Sequence, residues 1–345
     1  MQSSLLPARR RVAPVVTLLI LAPVLAEILF GSTHITALFV LIPEIGAYGC
    51  GALIIRALVR YQHKGWTTIL LLGIAFAIAE ECVILQTSLY PFAAADLQHI
   101  YGRAFGVNWI YLLWAVGYES VWAIVLPIQL TELIFPERRD DPWLGTRGLI
   151  IAGIFFLLAS VVAWYTWTHF VPRLYPGLHY HPSLLTIIIA LVVIAALVAV
   201  ALGSRSPSSP VQSNTRTAPQ SWLVGLVAFV SGLLWFAPLI LHYGLFPTFP
   251  VAIAVVLILA WAAGTFFLIR YWSTGQNWGD AQRMTLIFGA LMASMLAGFK
   301  LSGIVLPIDF IGKVVFNVIA IFGLLYLTWK IQHRKAAEVS LDTQH

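Results

Sequence analysis

The chain has 345 residues, of which 60% are hydrophobic and only 10% charged, and its mean hydropathy is +0.89. That balance excludes an ordinary soluble domain, in which about a quarter of the residues carry charge. The net charge of +6 lies in short loops rather than in a folded basic patch, so it argues for a lipid bilayer and against nucleic acid as the partner.

Hydrocarbon cannot satisfy backbone polar groups, so only helices or closed barrels span it. Apolar runs of about 20 residues without two-residue alternation select helices. The sequence therefore predicts an all-α, polytopic membrane bundle. In chain order the runs place ten spans at 13–31, 36–55, 66–89, 108–134, 148–170, 184–203, 221–243, 249–270, 284–304 and 307–329. The first run follows Arg9, Arg10 and Arg11, as a signal sequence would. Glu27 inside it and the lack of a small-x-small cleavage site make it an uncleaved first span.

With the N-terminus in the cytoplasm, sixteen of the twenty Lys and Arg residues fall in cytoplasmic segments, and only Arg103, Arg173, Lys300 and Lys313 do not. This bias predicts that both termini are cytoplasmic. Segment 204–220, rich in Ser and Pro, has the composition of a flexible linker. It separates an N-terminal bundle of six helices, 1–203, from a C-terminal bundle of four, 221–330, and a cytoplasmic tail follows at 331–345. The connections are too short to hold a nucleotide-binding or sensor domain, so activity must reside among the helices or at their mouths. Ala22-Pro23 and Ala237-Pro238, Arg56 and Arg270, and Gly73 and Gly289 recur at nearly equal offsets, a faint sign of the duplicated halves found in transporters.

Ionisable residues inside spans cost a few kcal/mol at least, so each needs a partner, a cavity or a purpose. Glu27, Glu44, Glu80, Glu81 and Glu119 lie on the first four spans, at roughly 6, 12, 10–12 and 16 Å below the outer helix ends at 1.5 Å per residue. Short loops make these helices neighbours, so the five carboxyl groups are expected to line one cavity opening to the extracytoplasmic side. Carboxylates that share a site repel one another when ionised, which suits the group to hold a proton or a cation. Taken singly, each is equally well explained by a hydrogen bond to a neighbouring helix. Around Glu44 the run Ile42-Pro43-Glu44-Ile45-Gly46 continues to Gly49 and Gly51. That setting predicts either a helix interrupted beside the carboxylate, as at transporter substrate sites, or close packing over small residues.

Other charged residues have structural readings. Lys300, near an outer helix end, either snorkels or serves as charge partner to a glutamate. Asp309 and Lys313 stand i,i+4 in the favourable order and are expected to neutralise each other. Glu132, near an inner end within reach of Glu137-Arg138-Arg139, is expected to be structural and tolerant of substitution. Trp66, Trp109, Trp143, Trp222, Trp272 and Trp278 lie near span boundaries, where an aromatic belt accounts for them without any cofactor. His34, His99, His169, His179, His181 and His242 fall on the outer side, but no H-E-x-x-H is present and no metal site is assigned. Cys50 and Cys82 differ in depth by roughly 12 Å, which argues against a disulfide.

The pair Glu80-Glu81 within a span resembles the first motif, EExxxR, of the CAAX protease and bacteriocin-processing family of intramembrane peptidases, whose later helices carry FxxxH and a further His motif. The resemblance implies activation of water by Glu80 or Glu81. Leu85 stands where that family has its Arg, and Glu119 is the next polar intramembrane residue where the family has a His. More broadly the chain resembles bacterial multi-pass proteins, which implies the bacterial plasma membrane. The acids favour a transporter coupled to a proton or cation and acting on a small molecule. The alternatives are an intramembrane peptidase and a noncatalytic scaffold or partner subunit.

Overall fold

The computed structural model describes residues 8–90, 101–171, 182–204, 214–242, 246 and 248–342. The apolar runs form helices, and the fold is all-α. Helix α1 covers Ala8–Pro23 and is continued by a π-helical turn, Val24–Ile28. It is followed by α2 (Ile35–Tyr61), α3 (Trp66–Ile84), α4 (Trp109–Ile134), α5 (Thr146–Phe170), α6 (Leu184–Gly203), α7 (Ser221–His242), α8 (Val251–Ser273) and α9 (Asp280–Leu301). Helix α10 is the longest, Pro307–Asp342. Two tiny pairings complete the described structure: an antiparallel one between Arg103–Ala104 and Val107–Asn108, and a parallel one between Asn214–Thr217 and Gly275–Gln276.

Among the described residues, α2 to α10 are the nine helices long and apolar enough to cross a membrane, and α1 is shorter. The first expected span, 13–31, ends early because the chain leaves the helix before residue 31. Gly31 adopts φ +96°, a region open to glycine at little cost, and a Cβ there would meet the Lys313 side chain at 2.9 Å. At the other extreme, α10 overruns its expected end at 329, since neither Gly nor Pro interrupts 330–342.

The two largest clusters of buried side chains organise the helices. One draws Leu18 from α1, Tyr48 and Leu53 from α2, Leu72 from α3 and Ile124 from α4. The other joins Leu25, Trp114, Phe236, Met284 and Leu324, so α1, α4, α7, α9 and α10 share it, with members on both sides of segment 204–220. By contrast, α5, α6 and α8 expose apolar side chains along much of their length, Leu157, Val192 and Phe267 among them, a composition suited to hydrocarbon. Cys50 and Cys82 are buried free thiols. Of the residues that suggest a repeat, Gly73 and Gly289 both lie at close helix contacts, whereas Arg56 is buried and Arg270 exposed.

The most extensive helix pairing is α7 against α9. It depends on Gly289, where an added Cβ would stand 2.1 Å from the Gly225 carbonyl oxygen and 2.9 Å from the Phe229 nitrogen. Such contact between backbones is how helices associate when their surroundings are as apolar as they are. Gly289→Ala is therefore expected to cost about 1–3 kcal/mol through overpacking. Gly264→Ala, at a position with open space around it, should be neutral or slightly stabilising. Thermal unfolding of the purified variants checks the difference; equal midpoints would show that this contact is not close.

Candidate functional site

Each of the first four helices carries a π-helical turn, and each turn contains or adjoins an acid. Glu27 lies in Val24–Ile28, Glu44 immediately precedes Ile45–Gly49, Glu80 and Glu81 open Glu80–Ile84, and Glu119 opens Glu119–Val125. Well under 1% of residues in globular proteins are π-helical, and single π turns recur at functional sites. The widened turn is visible in the i→i+5 bonds from Leu85 N–H to the Glu80 carbonyl, 2.8 Å, and from Ser32 N–H to the Glu27 carbonyl, 3.0 Å. Around Glu44 the backbone stays helical from Leu41 to Tyr61 rather than breaking at Pro43. The glycines that follow let other helices approach: a Cβ on Gly49 would lie 2.5 Å from the Leu19 carbonyl of α1, and one on Gly46 would lie 2.6 Å from Ala159 of α5.

The π turns bring the five acids into mutual electrostatic reach. Glu119 feels the charges of Glu80, Glu27, Glu81 and Glu44, and Glu44 feels that of Glu27. Glu80, Glu81 and Glu119 are buried, whereas Glu27 and Glu44 are half-buried and form the mouth of the group. Hydroxyls supply most of the partners. Ser32 Oγ donates to the Glu27 carboxyl, and Thr33 Oγ1 donates to Glu44 at 2.5 Å. Thr87 and Ser88 donate to one oxygen of Glu81 at 2.5 and 2.7 Å. The phenol of Tyr48 lies beside Glu27 and Glu80, within reach of a hydrogen bond to either. A phenol has one proton to donate, so when both bonds are made one of the two carboxyls must itself carry a proton and donate it. Tyr118, beside Glu119, donates to the Ala26 carbonyl at 2.5 Å and fixes α4 against α1.

Among the described residues, every electrostatic or hydrogen-bonding neighbour resolved for the five acids is another acid, a phenol, an aliphatic hydroxyl or a backbone group, with no cation. One oxygen each of Glu44, Glu80 and Glu119 is buried without a partner there. Lys300 is exposed and makes no ion pair among the described residues. Asp309 and Lys313 do not pair with each other. Asp309 accepts from Thr36 and faces His34, while the Lys313 ammonium donates to the Leu29 and Phe30 carbonyls. Among the described residues, no three His, Cys, Asp or Glu side chains form a group able to hold a metal ion. His169 stacks on Tyr165 and His242 lies against Tyr111, while His99, His179 and His181 fall outside the described residues.

Comparison with protein-family models, with curated proteins and with solved structures finds no match.

About 20 Å further along α4, at 1.5 Å per residue, the charges are arranged in the opposite manner. Glu132, buried, accepts from Arg56 Nε at 3.0 Å and from Arg60 Nη2 at 2.7 Å. Arg56 also donates to the Asp141 and Arg139 carbonyls at 3.0 and 2.7 Å, and its guanidinium stacks 3.2 Å above the ring of Trp143. Thus Glu132 is structural, but its partners are on α2 rather than in the 137–139 loop, and Trp143 is a buried platform instead of a belt residue. Removal of Glu132 strands a buried Arg56, which argues against the tolerance expected of it. Glu132→Gln should cost about 3–5 kcal/mol, the loss typical of a broken buried pair. Glu80→Gln, which replaces an acid without a cation by an amide of the same shape, should cost less than about 1 kcal/mol. Unfolding midpoints of the two variants check this, and equal losses would mean that Glu80 too is held by a cation.

Proposed function

We propose that this chain is a ten-span plasma-membrane protein of a bacterium that carries protons on its shared glutamates and couples them to the movement of a small solute. The observation that carries the reading is the group of five acids within electrostatic reach of one another, two of them beside Tyr48, with no cation among their described neighbours. An ionised carboxylate with no cation is costly away from water, so such a group is stable when it shares protons. The proton route runs from the exposed Ser32 to Glu27 and on to Tyr48 and Glu80, with Glu119 in electrostatic reach of Glu80. The intramembrane-peptidase reading has less support, because the described neighbours of Glu80 and Glu81 include no His.

The orientation rests on basic-residue bias and on contacts. Arg139 pairs with Asp280 at 2.7 Å, Arg334 reaches the Leu133 carbonyl at 3.4 Å, and Lys64 caps the carbonyls of Ala201 and Leu202 at the end of α6. Each contact joins two segments that the bias assigns to the cytoplasm. Both termini are then cytoplasmic and the mouth of the acid group is extracytoplasmic.

Liposomes containing the purified protein and an internal pH dye provide the test. Amino acids, sugars and organic cations are added outside in turn, and a transported solute is expected to acidify the interior. Glu80→Gln, Glu119→Gln and Glu44→Gln should reduce that acidification at least about tenfold, the scale of losing a general acid–base group. Reconstituted amounts should be unchanged. Full acidification in all three variants would remove the glutamates as proton carriers.

A further inference from the structure

The mouth of the acid group is covered by the connection between α1 and α2, and α10 holds that connection at both ends. Lys313 Nζ donates to the carbonyls of Leu29 and Phe30 at 2.8 and 2.6 Å, where α1 ends. Asp309, one turn earlier on α10, accepts from the backbone N–H of Thr36 at 3.1 Å and from its hydroxyl at 2.9 Å, where α2 begins. A cation on helix-terminal carbonyls and an anion on a helix-initial N–H are each the favourable pairing with the backbone dipoles. Asp309 and Lys313 are both 3% exposed.

Between these two clamps the same connection turns inward. Ser32 donates to Glu27 and Thr33 to Glu44, so the residues that touch the two mouth acids lie between those that α10 fastens. A narrow crevice lined by Gly31, Thr33, His34, Ile304, Asp309 and Lys313 marks the seam. The groups that face the connection are Glu27 from α1, Glu44 from α2, Ser302 just after α9, and Asp309 and Lys313 from α10.

We propose that Asp309 and Lys313 are positioning residues that keep the 29–36 connection closed over the acids, making it the gate of the site, with α10 as its latch. The gate rests on the reading of the acids as the working site. It differs from the proton reading in that it concerns access of water to them.

The test uses the full chain in lipid nanodiscs and a water-soluble carbodiimide, with modification of Glu27 and Glu44 followed by mass spectrometry. Asp309→Asn and Thr36→Val each remove part of the clamp at little cost in shape, and Thr36 is exposed. Losing a charge-assisted hydrogen bond should raise the labelling rate at Glu44 about ten- to a hundredfold. The buried thiols of Cys50 and Cys82 report general loosening and should stay unreactive. Labelling of Glu44 at the wild-type rate in both variants, or thiols that become reactive together with Glu44 in both, would overturn the gate. Failure of proton flux in liposomes would leave this labelling result standing, so the two ideas fail separately.

Discussion

An ionised carboxyl group removed from water is costly unless a cation, a set of donors or a proton accompanies it. In this fold that constraint is met in two different ways. At the Arg56 end the charges are paired: Glu132 receives two guanidinium groups, Arg56 is spread across two loop carbonyls, and Trp143 covers its face. At the Glu27 end five carboxyls gather with hydroxyls and a phenol for company, and the described cations nearby are spent on backbone carbonyls or exposed. The first arrangement locks α2, α4 and the 135–145 loop together. In the proposed reading, the second arrangement is balanced by protons.

The π turns connect this electrostatic difference to the backbone. An α-helix of apolar residues presents its side chains at regular intervals, and one inserted residue shifts that register locally. In α3 the turn begins at Glu80, so two consecutive acids are both buried yet meet different partners: Tyr48 for one, Thr87 and Ser88 for the other. Close approaches at Gly46 and Gly49 draw α1 and α5 against α2. Packing and chemistry therefore lie at the same level of the helices, and the small residues around Glu44 contribute by permitting contact rather than by breaking the chain.

Helix existence was legible in the sequence, because run length and apolar content are properties of single segments. The positions of the acids along their helices were legible for the same reason. What could not be read were features set by distant residues. Asp309 and Lys313 satisfy the local i,i+4 rule, yet each finds a better partner at an end of α1 or α2. Arg56 and Arg60 looked like markers of orientation, and only the fold reveals their carboxylate, Glu132. No residue pattern announced the π turns. Tyr48 was within reach of sequence reasoning, since it follows Glu44 by four residues and so shares its helix face.

The central claim is that the glutamates form one proton-sharing group rather than five separate acids. Infrared spectroscopy of the protein in lipid reports it through the C=O stretch of protonated carboxylic acids, which is sensitive to hydrogen bonding. The account predicts such bands in the native protein, and predicts that Glu80→Gln removes one and displaces those that remain, Glu119 above all. The contradicting result is a spectrum with no protonated carboxyl band, or one in which Glu80→Gln deletes a single band and leaves every other unmoved.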